Sequence, residues 1–431
     1  MDILNRIFNL KENNTDIKTE ITAGLTTFFT MSYLLVLSPK LLEIAGLNFS
    51  VSITVTVLVT FICSLLMAFI ANKPFAVAPF LGETAFIAYT ITGLLGFSIK
   101  TALTAILISG IILLIMTLTN IRTYIVSQIP ENIKLSFCVG LGLFFIFISL
   151  KDIGIVNFTT KGIPLQIGNF TSLSVLLGFF CFLLIVILSK RGVKAAVLIS
   201  IVITTILGLI SGDVEMPKQV ISMPTGISSS FMQLDFSKIL NKNFAAILFV
   251  IFMLVNIDTA GSIIGLEYNL KNEKPNYKKA MIADSLAVII APIFGTTTPG
   301  AYLDSMTGIS SGGRTGLTAF TVGCMFLLGL LFSPLIMIIP AYAYAPALLY
   351  VGILMTSAIT KIDFTDISEY ATSIFTIAIM IFTYNIGAGI ISAFITYPLI
   401  KLFSGHKHET NIVVWTMFVI SLIFFIIYPY N

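Results

Sequence analysis

An α-helix needs about 20 predominantly apolar residues to cross a bilayer, and this chain repeats runs of that order from end to end. They lie near 20–41, 49–71, 100–120, 131–149, 171–190, 193–211, 243–268, 279–295, 315–340, 343–360, 368–403 and 411–429. Two further segments, 75–95 and 296–311, are apolar or small but interrupted by Pro, Gly and polar residues. The expected fold is therefore an all-α integral membrane protein of about 14 membrane elements. Composition agrees: 57% of the 431 residues are hydrophobic and 10% are charged, against about 25% charged in a soluble domain. The run 368–403 is too long for one span. It carries Asn385-Ile386-Gly387-Ala388-Gly389 in its middle, which predicts a kinked helix or two shorter ones.

The net charge of +4 is spread over many short loops, which argues against nucleic acid as a partner and reads as topology. With the N-terminus inside, the larger share of the 24 Lys and Arg falls on the cytoplasmic side. Arg122 and Lys361 count as inside, Lys401 and Lys407 as outside. Both termini are then expected in the cytoplasm, the chain being multi-pass in the cell membrane. Cys63, Cys138, Cys181 and Cys324 sit in apolar runs without CxxC spacing and read as small hydrophobes. His406 and His408 flank Lys407 in a polar loop, so no metal site and no cofactor is expected. Residues 1–20 lack the apolar core of a signal peptide and predict an amphipathic cytoplasmic segment. No HExxH or GxSxG motif suggests an enzyme.

The longest polar stretch, 212–242, divides the chain into halves that echo one another. The third element of each is broken, VAPFLGETAF at 77–86 and GTTTPGAYLD at 295–304. Each half also has a proline at its fifth element, Pro130 or Pro346. An odd number of spans per half gives opposite orientations, the inverted repeat of secondary transporters. Unpaired backbone groups in lipid cost several kcal/mol each, so a broken helix survives only inside protein or around a cavity. Pro79, Gly82, Pro299 and Gly300 make the breaks. Half-helices are expected to start at Gly82-Glu83-Thr84 and at Ala301-Tyr302-Leu303-Asp304, with free N–H groups for carbonyl oxygens or an anionic ring. Ordinary loops are the plainer reading.

Three acids fall within apolar segments: Glu83, Asp258 and Asp304. Carboxyls are expensive at membrane depth, and these have no basic neighbour within a helical turn in sequence. They suit proton exchange or the N–H edge of a heterocycle; the bland alternative is a helix cap. Asn256 is expected to line the same cavity as Asp258. Asp284 and Glu267 are expected at the membrane edges. Gly24, Thr27 and Gly261 read as close-packing positions, and Phe29 or Tyr33 as rings to stack on a flat substrate. Gly312-Gly313-Arg314-Thr315-Gly316 is a tight turn without a phosphate-loop lysine.

The strings ITAGLTTFFTMSYLLVLSP, IDTAGSIIGL and GTTTPGAYLDSMTGISSGGRTGLTA resemble the AzgA-like branch of the nucleobase/ascorbate transporters, which contains adenine, guanine and hypoxanthine permeases. The resemblance runs through nearly the whole chain. It implies the uracil-transporter fold: a cytoplasmic segment at 1–19, a core domain from 20–120 and 243–340, a gate domain from 121–211 and 341–431, and a connector at 212–242. It implies import of a purine-like nucleobase with protons by an elevator-type cycle. The site would draw on Phe29, Phe80, Glu83, Thr84, Asn256, Asp258, Thr298 and Asp304, with Glu83, Asp258 and Asp304 coupling protons. The chain departs from the pattern where a first eighth-element acid is Val255, and where the third element reads APFLGETAF, placing Thr84 at an Asn position and adding Glu83. An anion carrier or other small-heterocycle carrier on the same fold is the alternative. The bilayer is the expected environment, and a second copy of the chain is carried as a candidate partner.

Overall fold

The computed structural model describes residues 2–158, 165–217, 219–222, 226–270 and 277–427. The charge count also drew on Lys161, Lys218, Lys271 and Lys274, which lie outside them.

In chain order, a short helix α1 (Asp2–Phe8) precedes α2 (Ile17–Met31) and α3 (Leu34–Ile44), two helices bent by 42° to each other. Helix α4 (Phe49–Leu66) ends in a π-helical turn, Met67–Ala71. Then come β1 (Val77–Pro79), α5 (Leu81–Ala85) with a π-helical continuation over Phe86–Leu94, α6 (Ile99–Leu118) and α7 (Ile121–Gln128). Helix α8 (Glu131–Ile153) leads to a hairpin of β2 (Val156–Phe158) and β3 (Leu165–Ile167), then α9 (Leu173–Lys190) and α10 (Ala196–Ile210). The second half runs α11 (Ile227–Ser230), α12 (Lys242–Asn269), α13 (Tyr277–Phe294), β4 (Pro299–Ala301), α14 (Ser305–Ser310), α15 (Gly316–Gly329) and α16 (Ser333–Met337). It closes with α17 (Ala341–Thr356), α18 (Ile367–Phe382), α19 (Ile386–Phe403) and α20 (Ile412–Ile427). Among the described residues, eight helices are long and apolar enough to cross a membrane, or nine with α2–α3 taken as one span.

Polar N-caps decide where spans begin. Ser98 accepts from the Thr101 N–H, Ser172 from Val175, Thr315 from Leu317 and Asn385 from Ala388, each satisfying one of the amides a helix start leaves unpaired. Asn385 thereby settles the long run 368–403 as two helices. They fold back on each other: Lys401, near the end of α19, bonds Asp366 at the head of α18 (3.0 Å), and Tyr397 bonds Glu369 (3.2 Å). This corrects the charge count. Lys401 lies on the side of Asp366, and hence of Lys361, rather than opposite. Expecting both termini on one side assumed a single crossing there, and the hairpin removes that assumption.

The chain forms two compact units. Among the described residues, one comprises those within 2–128, 221–333 and 427; the other comprises those within 129–220 and 334–426. In the first, positions 79 and 299 lie in short strands and not in continuous helix. Strands β1 and β4 pair antiparallel with Val77 opposite Ala301, Ala78 opposite Gly300 and Pro79 opposite Pro299. Neither proline has an N–H to give, so the ladder continues just beyond them, from Phe80 N–H to Thr298 O (2.9 Å) and from Tyr302 N–H to Ala76 O (3.0 Å). Two interrupted spans thus satisfy each other's backbone at a shared crossing, as apolar surroundings demand.

The halves mirror each other around that crossing. Glu20, fully buried at the start of α2, accepts from the N–H groups of Arg314 (2.8 Å), Thr315 and Thr318 and from the Thr318 hydroxyl (2.6 Å) at the head of α15. Asp235, before α12, accepts from Thr101 Oγ1 (3.4 Å) in the first turn of α6. Each half thus carries, at or before the start of its first span, an acid that holds the fourth span of the other half. Gly24 lets α2 lie against α15, since a Cβ there would come within 2.6 Å of Thr321 and 2.9 Å of Thr318 O. Gly261, expected to serve the same purpose, has nothing within 4 Å of where a Cβ would sit; it is open surface.

Candidate functional site at the crossing of two broken spans

The crossing fixes its side chains from both halves. Tyr302, just past β4, donates its hydroxyl to Pro79 O (2.8 Å) and receives the Leu81 N–H (3.2 Å). Its ring lies on Phe80, centroids 5.1 Å apart. The glycine at 300 is obligatory, because a Cβ there would run into the Phe80 ring and the Thr259 methyl. Thr84 closes the first half-helix by donating to Phe80 O (2.6 Å) and pairs with Thr297 Oγ1 (2.6 Å). At the start of α5 the Phe80 and Leu81 N–H groups are taken, by Thr298 O and by the Tyr302 hydroxyl.

The acids collect around Tyr302, which lies within electrostatic reach of Asp304, Glu83 and Asp258. Glu83 is 2% exposed, and neither of its oxygens has a hydrogen-bonding donor among the described residues. What faces it is the Asp258 carboxyl, with which it interacts electrostatically. Asp258 itself is half-buried, on a face of α12 that continues to open Gly261. Asp304 is also half-buried and meets the Tyr33 hydroxyl.

The remaining expected residues divide. Phe80, Thr84 and Thr298 belong to the crossing, and the buried Thr298 hydroxyl has no partner among the described residues. Asn256 is fully buried, and neither of its amide atoms has a partner among the described residues. Lying two residues before Asp258, it is turned about 200° around the helix axis from it, so the two do not share a face. Phe29 is 42% exposed and packs on Phe28 at 5.5 Å. The ring that α2–α3 brings to Asp304 is that of Tyr33.

Two buried charged pairs were not anticipated as pairs by the sequence reading. Arg122, counted as a loop charge, and Asp284, expected at a membrane edge, are both fully buried and paired at 2.9 Å. Glu267 is likewise buried, against Lys73 at 2.6 Å. The partners of each pair lie far apart in sequence, and neither pair has a motif. The one local sign is that IRTYIVSQ contains a single cation between two apolar runs.

Comparison with known proteins agrees with this architecture. The Permease family (Xan_ur_permease) matches residues 18–396. The chain is 36% identical to the adenine permease AdeP of Escherichia coli (strain K12), over 98% of this chain and 96% of that protein. It is 34% identical to the guanine/hypoxanthine permease PbuO of Bacillus subtilis (strain 168), over 97% of this chain and 99% of that one. Among solved structures, the transmembrane domain of a cyanobacterial bicarbonate transporter, BicA, superposes with a TM-score of 0.67 at 16% identity, covering 87% of this chain and 96% of that one. That likeness shows the inverted-repeat transporter fold.

Proposed function

The chain belongs to the Permease family of membrane transporters, and from that premise we propose that it imports a purine-like nucleobase of the adenine, guanine or hypoxanthine class together with protons. The observation that carries this reading is the Glu83–Asp258 carboxyl pair at the crossing. Ionised carboxylates only accept, so two carboxyls hydrogen-bond only with a proton between them. A purine presents ring N–H donors, joined in adenine and guanine by an exocyclic amino group, and these bond the carboxyl lone pairs that the shared proton leaves free, so that base and proton are held together. The Phe80–Tyr302 rings offer an aromatic surface beside it, and Asp304 with Tyr33 offers a second acceptor. Binding of base and binding of proton are thereby linked at one pair of groups.

The pair also accounts for the departure at Val255. That residue lies one turn before Asp258 on α12 and is buried; an acid absent there is replaced by Glu83 from the opposite half. The unit that contains the crossing is the core of an elevator-type cycle, and the unit of α8–α10 and α17–α20 is its gate. The N-terminus is cytoplasmic, in a cell membrane, and the protein carries out no covalent chemistry.

Uptake of radiolabelled adenine, guanine and hypoxanthine into proteoliposomes, with and without an inward proton gradient, tests the reading. Glu83→Gln should abolish gradient-driven uptake; unchanged uptake and unchanged pH dependence would refute the role of the pair. Sulfate and bicarbonate serve as the competing substrates, since anion carriers share the fold. Three acids around Tyr302 disfavour an anion there.

A further inference from the structure

The buried Arg122 lies beside the site without belonging to it. Its Nη2 donates to Asp284 Oδ2 (2.9 Å) and to Thr259 Oγ1, and its Nη1 donates to Ser285 Oγ (3.1 Å) and Met281 O (3.4 Å). One guanidinium thus ties α7 to α12 and α13, and Ser285 passes the link to Thr117 of α6 (3.2 Å). The planar fork makes such a multi-point clamp, which a lysine cannot reproduce.

Thr259 is the element through which this reaches the site. It follows Asp258 directly. Its hydroxyl, besides receiving Arg122, donates to Val255 O (2.8 Å). Its methyl lies 2.8 Å from where a Cβ on Gly300 would stand. The turn Val255–Thr259 is therefore pinned on one side by Arg122 and on the other by β4, and Asp258 projects from that turn toward Glu83. Asp284, which Arg122 neutralises, is itself within electrostatic reach of both Glu83 and Asp258.

We infer that Arg122 is a positioning residue for substrate binding: through Thr259 it fixes the turn of α12 that presents Asp258 to Glu83, and by pairing Asp284 it keeps a third negative charge from acting on them. The inference rests on the transport reading above for its kinetic consequence, not for its geometry.

Thr259→Val is the sharpest test, because it is isosteric and leaves the Arg122–Asp284 pair in place. Arg122→Met combined with Asp284→Leu removes both charges together and so avoids a lone buried one. Two readouts are needed. The first is uptake KM and Vmax per folded transporter. The second is the rate of carbodiimide labelling at Asp258, located by mass spectrometry, which needs no substrate. Loss of a hydrogen bond to a charged group corresponds to roughly tenfold or more. Thr259→Val should therefore raise KM by about tenfold with Vmax less affected, and should change the labelling rate several-fold. The double variant should do the same, and Arg122→Lys should fail to restore wild-type values. Wild-type labelling and wild-type KM in Thr259→Val would overturn the inference and leave the pair as packing alone; should the double variant not fold, Thr259→Val decides. If the unaltered protein carries no purine, the transport reading falls, and the labelling rates still decide the role of Arg122.

Discussion

At the scale of single residues, the crossing depends on Gly300 more than on any one polar contact. A methyl group there meets an aromatic ring and a pinned threonine at once, and overpacking of a rigid site costs about 1–3 kcal/mol. Gly300→Ala should lower the thermal unfolding midpoint in detergent and weaken purine binding. Gly261→Ala is the matched control, with nothing within 4 Å and a better helix former introduced. It should leave the midpoint unchanged or slightly raised. Equal losses in both variants would mean that any glycine substitution in this unit is damaging, and that the Phe80 contact is not special. The prolines and glycines of the break were readable in sequence because no helix tolerates them in lipid without help. Arg122 was not, because a buried cation is recognisable only from partners such as Asp284 that lie far off in the chain. A different cause lies behind Asn256: proximity in sequence placed it with Asp258, and helix geometry separates them.

Among elements, the hairpin of α18 and α19 shows what a hydropathy run conceals. An uninterrupted apolar stretch says nothing about reversal, and the polar residue that breaks it, Asn385, acts by capping and not by being hydrophilic. The head of the hairpin is electrostatic. Asp366 accepts from the Ser368 side chain and N–H and from Lys401, and these contacts hold its carboxyl down at about 2, from an ordinary 3.8. A value depressed in the folded state means that the contribution is full above the ordinary value and is lost as pH falls through about 2. Acid unfolding of the purified protein should therefore steepen below about pH 4, and Asp366→Asn should flatten that part of the curve. Coincident curves for the two proteins over that window would remove Asp366 from the account. In the other unit, Glu20 serves α15 in a comparable way while fully buried, so Glu20→Gln should cost about 1–3 kcal/mol, read as a lowered unfolding midpoint. That capping also explains the SGGRTG stretch: its tight turn delivers the N–H groups of Arg314 and Thr315, and the first turn of α15 adds that of Thr318, to one carboxylate.

For the whole molecule, orientation follows from which charged ends share a side. The broken third and tenth elements made the two-half architecture legible, since each needed the other to satisfy its backbone. The side on which α19 ends was not legible, because parity along a chain is reversed by one unrecognised turn. Contact between Lys401 and Asp366 restores that parity, and it brings Lys401 and the Lys407 segment to the side already holding Lys361. The excess of Lys and Arg on that side increases, and the positive-inside tendency predicts that it faces the cytoplasm. Single cysteines placed at Thr360, Ser404 and Asn169, all exposed, in a background lacking the four native cysteines, test this in intact cells with a membrane-impermeant maleimide. Thr360→Cys and Ser404→Cys should stay unlabelled until the cells are permeabilised, whereas Asn169→Cys, beyond the far end of α8, should label from outside. External labelling of Ser404→Cys with protection of Thr360→Cys would place the two on opposite faces, and no hairpin of α18 and α19 could then exist in the membrane.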